Sequence, residues 1–91
     1  MAKQLLELQE EGIPIILRPL HEAEGSSSLD GSGSWFWWGN DGAEAYVQLY
    51  RYVYNKLVNE YGVHNVIWEW NSYTYETSSA WYPGDEYVDI V

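Results

Sequence analysis

The sequence predicts an α/β fold with three parallel strands and two main helices. Three observations predict it: two segments with helical spacing of apolar residues, short apolar runs after each of them, and Gly or Pro at most borders. The order of helix, strand, helix, strand and strand implies parallel strands joined by right-handed crossovers. With 91 residues, of which 46% are hydrophobic, the chain fits one domain.

Both helices are predicted from good helix formers and apolar spacing. The first covers Ala2–Glu11 and is followed by Gly12, a common residue after a helix C-terminus. Asp41 and Glu44 have the spacing of a capping box at the start of the second helix, which we expect to end at Gly62. The apolar residues of this second helix are Tyr46, Leu49, Tyr50, Val53 and Leu57.

The three predicted strands are Ile13–Leu17, Asn65–Trp70 and Tyr87–Val91, the last entered through the turn Tyr82–Asp85. The continuous apolar run in the first is typical of a strand that is covered on both faces. An open three-stranded parallel sheet leaves two edges unpaired. We therefore expect self-association to complete the sheet, with a homodimer as the default oligomer.

Charge and composition exclude several classes of function. The net charge of −10, with only four Lys and Arg residues, opposes binding to nucleic acid or to an anionic membrane surface. The chain has no cysteine, and its first twelve residues are too charged for us to expect a signal peptide there, so localisation is not predicted. His21 and His64 are far apart in sequence and no metal-ligand spacing occurs, so we expect no metal and no cofactor.

A long segment without periodicity, His21–Gly42, lies between the first strand and the second helix. Its Ser/Gly-rich part, Gly25–Ser34, has the composition of a linker or of a hinge for strand exchange, but the aromatic run Trp35–Gly39 follows it directly. Flat aromatic faces suit sugar rings or a large protein interface. We interpret the segment as a binding loop.

The candidate for chemistry is Glu22, which follows the carboxyl end of the first strand. Strand alternation would place Arg18, Leu20 and Glu22 on one face. Aromatic surroundings can keep a carboxyl group protonated, so Glu22 is a candidate general acid. The alternative is that Arg18 and Glu22 form an ordinary ion pair and that His21 is a loop histidine with satisfied hydrogen bonds.

Four motifs in order resemble one family. They are RPLHE at 18–22, WFWWG at 35–39, VIWEWN at 66–71 and YPGDEYVDIV at 82–91. Together they resemble glycoside hydrolase family 26, whose members are mostly endo-β-1,4-mannanases. The resemblance covers essentially the whole chain.

The resemblance implies that residues 1–91 are a single fragment of a (β/α)₈ TIM barrel, around strands four to six. It implies a retaining mechanism in which Glu22 protonates the leaving sugar oxygen and later activates water. His21 would help to position the nucleophile, and Trp35 would contact the sugar at the point of cleavage. The implied partner is β-mannan or a manno-oligosaccharide, bound weakly if at all by this chain, and the parent enzyme is expected to be secreted.

A retaining hydrolase needs a second carboxylate at about 5–5.5 Å from the first. The resemblance implies that this Glu is carried by a strand beyond the point where the chain ends. Glu69 lies between Trp68 and Trp70 on the opposite face of its strand, where we expect it to be exposed at a sheet edge and not to act as nucleophile. The isolated chain is therefore expected to be inactive.

Two other functions remain open at the level of sequence. One is a self-associating structural module, natural or engineered. The other is a weak mannan-binding module, in which the platforms would be Trp35, Trp37, Trp38 and Trp81. The remaining loop and turn acids are expected to be solvated or capping charges, namely Glu24, Asp30, Asp41, Asp85, Glu86 and Asp89.

Overall fold

The computed structural model describes residues 1–91 and contains two helices and two parallel strands. In chain order these are α1 (Ala2–Glu10), β1 (Ile15–Leu17), α2 (Ala43–Asn55) and β2 (Val66–Trp68). Shorter helical turns occur at Trp37–Gly39, Lys56–Glu60, Ser78–Trp81 and Asp85–Tyr87. Neither main helix has the length and apolarity needed to cross a membrane.

The two strands are parallel neighbours, as the sequence predicted. Ile15 pairs with Val66 and Leu17 with Trp68, and α2 lies between the strands in the chain as the crossover. The α/β class and the two helices are therefore confirmed. In parallel strands the carboxyl ends lie at the same edge of the sheet, so the segments that follow Leu17 and Trp68 meet there.

The predicted third strand, Tyr87–Val91, is wrong as a regular strand, because it forms only an isolated parallel bridge between Glu69 and Ile90. The N–H of Trp68 donates to the carboxylate of Asp89 at 2.8 Å, so a side chain accepts a bond that a main-chain carbonyl accepts in a regular ladder. Tyr87 itself belongs to a 3₁₀ turn. Asp89 was expected to be a solvated or capping charge; it is exposed and in addition accepts this bond from the backbone.

Aromatic side chains of α2, β2 and the turn at Ser78–Trp81 form the core. Trp81 and Tyr50 are fully buried, and Tyr46 and Trp68 nearly so. The ring centroids of Tyr46 and Trp81 are 5.7 Å apart, and those of Tyr50 and Trp68 are 6.1 Å apart. Much of the aromatic content is therefore core, and the interpretation of Trp81 as a sugar platform is wrong.

Helix α2 begins without the predicted capping box. Its N-cap is Gly42, which has a φ of 95° and makes no side-chain cap bond. The N–H of Ala43 donates to the carbonyl of Leu29 at 3.0 Å, so the loop provides an acceptor at the helix start. A Cβ on Gly42 would lie 2.8 Å from that carbonyl oxygen, which explains why glycine occupies this position.

One face of the two-stranded sheet is open to solvent. The residues that pack towards the core are Ile15, Leu17, Val66 and Trp68. On the other face, Ile16 and Ile67 are register partners and are 61% and 38% exposed. Parallel strands are normally covered on both faces. This pair is one of the apolar surfaces that the rest of the chain leaves uncovered.

Replacing Trp81 with Ala should destabilise the fold strongly, because the change removes a fully buried ring from the core. A loss of about 3–5 kcal/mol in the free energy of unfolding is expected. Urea denaturation followed by far-UV circular dichroism measures it. Trp37→Ala is the matched control, since this indole is 69% exposed and its loss should change stability little. Equal losses in both variants would contradict the described core.

Candidate active site

The chain leaves β conformation directly after β1. Leu20 and Glu22 have φ values of 55° and 52°, in the left-handed region that residues with a side chain seldom adopt. The predicted alternation of Arg18, Leu20 and Glu22 along a strand is therefore wrong. Such strained residues cost about 1–3 kcal/mol each and persist where the surroundings fix them, often at functional sites.

Hydrogen bonds from three other segments fix this backbone. The hydroxyl of Tyr46, on α2, donates to the carbonyl of Leu20 at 2.8 Å. The indole N–H of Trp38 donates to the carbonyl of His21 at 2.9 Å. The N–H of Glu22 donates to the carbonyl of Asn71 at 3.3 Å. Both strained residues are thereby held by groups distant in sequence.

The side chain of Glu22 lies half-buried and accepts a hydrogen bond from the hydroxyl of Tyr73 at 3.0 Å. This bond raises the pKa of Tyr73, because ionisation of the phenol would lose it and place two negative charges together. Arg18 is exposed, and the chain's one ion pair joins Lys56 to Glu60. The alternative of an ordinary Arg18–Glu22 ion pair is therefore wrong.

His21 packs against the aromatic run at 35–39. Its ring centroid is 4.9 Å from Phe36 and 5.5 Å from Trp38, and those two rings stack on each other at 4.5 Å. Trp38 is half-buried in this stack and also donates to the His21 carbonyl, and its role as a sugar platform stays a prediction. The positioning role of His21 stays a prediction.

Trp35 and Trp37 are the two tryptophans of the run that face solvent, with exposed fractions of 86% and 69%. Ser34 fixes the start of the run, because its hydroxyl lies 2.7 Å from the carbonyl oxygen of Ala23 and donates to it. Ala23 follows Glu22 and Ser34 precedes Trp35 in the chain. One hydrogen bond thus connects the segment of the candidate acid to the segment of the exposed indole.

The Ser/Gly-rich part of the loop is packed, which supports a binding loop over a linker or a hinge. A Cβ on Gly25 would lie 2.2 Å from the carbonyl oxygen of Gly33, so the backbone crosses itself closely here. The hydroxyl of Thr77 donates to the carbonyl of Ser27 at 2.8 Å. The exposed Asp30 accepts bonds from its neighbours, first the hydroxyl of Ser28, which lower its pKa to about 2.

The sequence analysis missed the role of Glu24. This residue was expected to be a solvated or capping charge, but only 1% of it is exposed. Its carboxylate accepts hydrogen bonds from the hydroxyl of Ser72 and, at 3.3 Å, from the N–H of Tyr73. These partners follow Glu24 by 48 and 49 residues, so no local pattern could have identified them.

Glu69 was expected to be exposed at a sheet edge, but it is half-buried and has a neighbouring segment on both sides. Its N–H donates to the carbonyl of Leu17 at 2.9 Å, and its other neighbour in the sheet is Ile90. No three His, Asp or Glu side chains come together as ligands for a metal ion.

Comparison with known proteins agrees with this geometry. The family profile described as glycosyl hydrolase family 26 matches residues 1–91. The mannan endo-1,4-β-mannosidase of Thermothelomyces thermophilus is 46% identical over 91 residues, which are all of this chain and 16% of that protein. The chain thus spans about a sixth of that relative.

Solved structures give the same result. A ruminal GH26 endo-β-1,4-mannanase superposes with a TM-score of 0.93 at 58% identity, over 96% of this chain and 18% of that one. A β-mannanase from a symbiotic protist of the termite Reticulitermes speratus, complexed with gluco-manno-oligosaccharide, gives a TM-score of 0.82 at 38% identity, over 96% of this chain and 24% of that one. The chain belongs to glycosyl hydrolase family 26.

Proposed function

We propose that residues 1–91 are one fragment of a β-mannanase-like retaining glycoside hydrolase barrel and carry its general acid/base, Glu22. The observation that carries the proposal is the half-buried carboxylate of Glu22, which lies beyond the carboxyl end of β1 and is oriented by the hydroxyl of Tyr73. The loop beside it presents the exposed indole of Trp35.

In the first step, the carboxylic acid of Glu22 transfers its proton to the glycosidic oxygen as the bond from that oxygen to the anomeric carbon breaks. A nucleophilic carboxylate forms the new bond to the anomeric carbon. In the second step, the Glu22 carboxylate takes a proton from water, whose oxygen displaces the enzyme carboxylate. His21 helps to position the nucleophile, and Trp35 packs against a sugar ring at the cleavage point.

We further propose that the nucleophile comes from outside these 91 residues, so that the isolated chain is inactive. Glu24 is buried, and both of its oxygens already accept bonds from Ser72 and Tyr73. Glu24 is therefore not a free nucleophile. Glu69, for which the sequence predicts no nucleophilic role, follows β2 and forms an isolated main-chain bridge with Ile90.

The substrate class follows from the aromatic surface and the relatives. Exposed indoles provide flat apolar faces for the carbon–hydrogen faces of sugar rings. The relatives are named for mannan, and one was solved with a gluco-manno-oligosaccharide. A neutral polysaccharide is compatible with a chain of net charge −10, whereas nucleic acid and anionic membranes are not.

The uncovered face of Ile16 and Ile67 supports a second proposal, that the isolated chain self-associates. Contact with another copy would remove this apolar pair from water, and an isologous dimer is the simplest symmetry. This association would stabilise the fragment without supplying catalysis. A mannan-binding module is the remaining alternative, and exposure of Trp35 and Trp37 favours it over a purely structural one.

A chimera tests the catalytic proposal. In it, this chain replaces the corresponding segment of the ruminal mannanase to which it is 58% identical, which restores the rest of the barrel. The chimera should release reducing sugar from β-mannan, and Glu22→Gln should lower kcat by about 10²–10⁴-fold because the general acid/base is lost.

Glu76→Gln is the matched control in the chimera, because Glu76 is exposed and makes no side-chain hydrogen bond. It should leave kcat unchanged. Full activity of the Glu22→Gln chimera would overturn the assignment of Glu22. Mannan hydrolysis by the isolated 91-residue chain, abolished by Glu22→Gln, would overturn the proposal that the nucleophile lies outside it.

Trp35→Ala in the same chimera should weaken binding of manno-oligosaccharides about tenfold, since the platform beside Glu22 is removed. Isothermal titration calorimetry on chimeras that also carry Glu22→Gln measures the affinity for manno-oligosaccharides without hydrolysis. Tyr52→Ala is the control, because Tyr52 is also exposed but lies on α2. Equal losses for both variants would contradict a specific role for Trp35.

The association proposal predicts a dimer of the isolated chain at micromolar concentration. Sedimentation equilibrium should give twice the chain mass, and the double variant Ile16→Asp, Ile67→Asp should give the monomer mass because charge on both residues opposes burial. Leu29→Asp, at another exposed apolar position, should remain dimeric. A monomer that unfolds cooperatively at this concentration would refute self-association.

A further inference from the structure

Glu24 is a buried carboxylate without a cation beside it. It is 1% exposed, and the chain's one ion pair, Lys56–Glu60, is elsewhere. Burial of a charge is unfavourable unless hydrogen bonds replace its lost hydration. A neutral residue would avoid this cost if the position only filled space, so its bonds indicate what the carboxylate does.

Those bonds go to two consecutive residues of one segment. The hydroxyl of Ser72 donates to Oε2 of Glu24, and the N–H of Tyr73 donates to Oε1. Residues 71–75 have no regular secondary structure, so no ladder or helix holds Ser72 and Tyr73. The carboxylate of Glu24 therefore fixes the course of this segment.

The same segment contacts Glu22 on both its backbone and its side chain. Asn71 accepts the N–H of Glu22 at 3.3 Å, and the hydroxyl of Tyr73 donates to Oε2 of Glu22 at 3.0 Å. Residues 71–73 and 22–24 thus form a closed set of four hydrogen bonds. The set contains Glu22 in its strained left-handed conformation, with a φ of 52°.

We propose that Glu24 is a positioning residue for Glu22 and acts through Tyr73. It holds the Tyr73 hydroxyl on Oε2 of Glu22, which leaves Oε1 as the oxygen that exchanges a proton with substrate or water. The inference rests on the catalytic assignment of Glu22 and adds the two residues that orient it. A carboxyl group with one oxygen occupied presents its proton in one direction, which is the preorganisation that acid catalysis needs.

Titration of the Tyr73 phenol tests the positioning role of Glu24 without requiring activity. Its phenol pKa is raised first by the hydrogen bond to Glu22, and Tyr75 and Glu24 contribute as nearby charges. Tyrosine labelled with ¹³C at Cζ reports this pKa by NMR in the 91-residue chain. Glu22→Gln gives the reference, because removal of the acceptor charge should lower the pKa of Tyr73 towards its ordinary value.

The decisive variant is Glu24→Asp, which keeps the charge but shortens the side chain by one methylene. If Glu24 positions Tyr73, the pKa of Tyr73 should fall as far as in the Glu22→Gln variant. If Glu24 acts only through its charge, that pKa should stay, and the proposal is overturned. Ser72→Ala removes one donor with less disruption and should lower the same pKa even if the Asp variant unfolds. Glu76→Gln is the control for loss of an exposed charge.

Kinetics of the chimera complete the test. Glu24→Asp and Tyr73→Phe should each lower kcat about tenfold with little change in KM, because an oriented proton donor matters more in the transition state than in the bound substrate. The double variant should have a kcat no lower than that of the worse single variant, since both changes remove the same contact between Tyr73 and Glu22. Additive losses in kcat, or a change in KM alone, would overturn the proposal that Glu24 acts through Tyr73. If the Glu22→Gln chimera were fully active while the pKa of Tyr73 still fell in Glu24→Asp, the catalytic assignment of Glu22 would be overturned. The contact by which Glu24 positions Tyr73 would then still stand.

Discussion

The hydrogen bond from the hydroxyl of Tyr46 to the carbonyl of Leu20 connects the core to the candidate site. The ring of Tyr46 packs beside Trp81 in the core, while its hydroxyl reaches the strained turn after β1. Burial raises the pKa of Tyr46, so the hydroxyl remains a neutral donor across the physiological range. The position of the turn, and hence of Glu22, thus depends on how α2 packs against the aromatic core.

Sequence periodicity was enough to predict the two main helices and the two paired strands. The predicted first helix differs from α1 by one residue, and the pairing of β1 with β2 followed from the order of elements. The predictions from periodicity were wrong at two places, where the expected hydrogen-bonding group is replaced by another one. Asp89 binds the N–H of Trp68 and limits the third strand to a bridge, while Leu29 and Gly42 replace the capping box. Such contacts leave no repeat in the sequence.

The candidate site divides in the same way. Glu22, His21 and Trp35 were identified from motifs whose residues are adjacent in the chain, and these residues lie beyond the end of β1 and in the loop that follows. Glu24 and Tyr73 were not identified, because their bonds join segments separated by about fifty residues. The interpretation of Trp81 was also wrong, because a count of tryptophans does not distinguish an indole buried in the core from one exposed on the surface.

Glu22 and Glu24 show how one short segment gives two carboxylates different chemistry. They are two residues apart, and the chain turns between them, so one lies half-buried and the other fully buried. Glu24 has both oxygens occupied by donors from one neighbouring segment, which makes it suitable for holding that segment in place. Glu22 has one oxygen bonded to the hydroxyl of Tyr73 and the other free of a hydrogen bond within the chain. In the proposed mechanism, the buried acid would thereby set the direction in which the half-buried acid presents its proton.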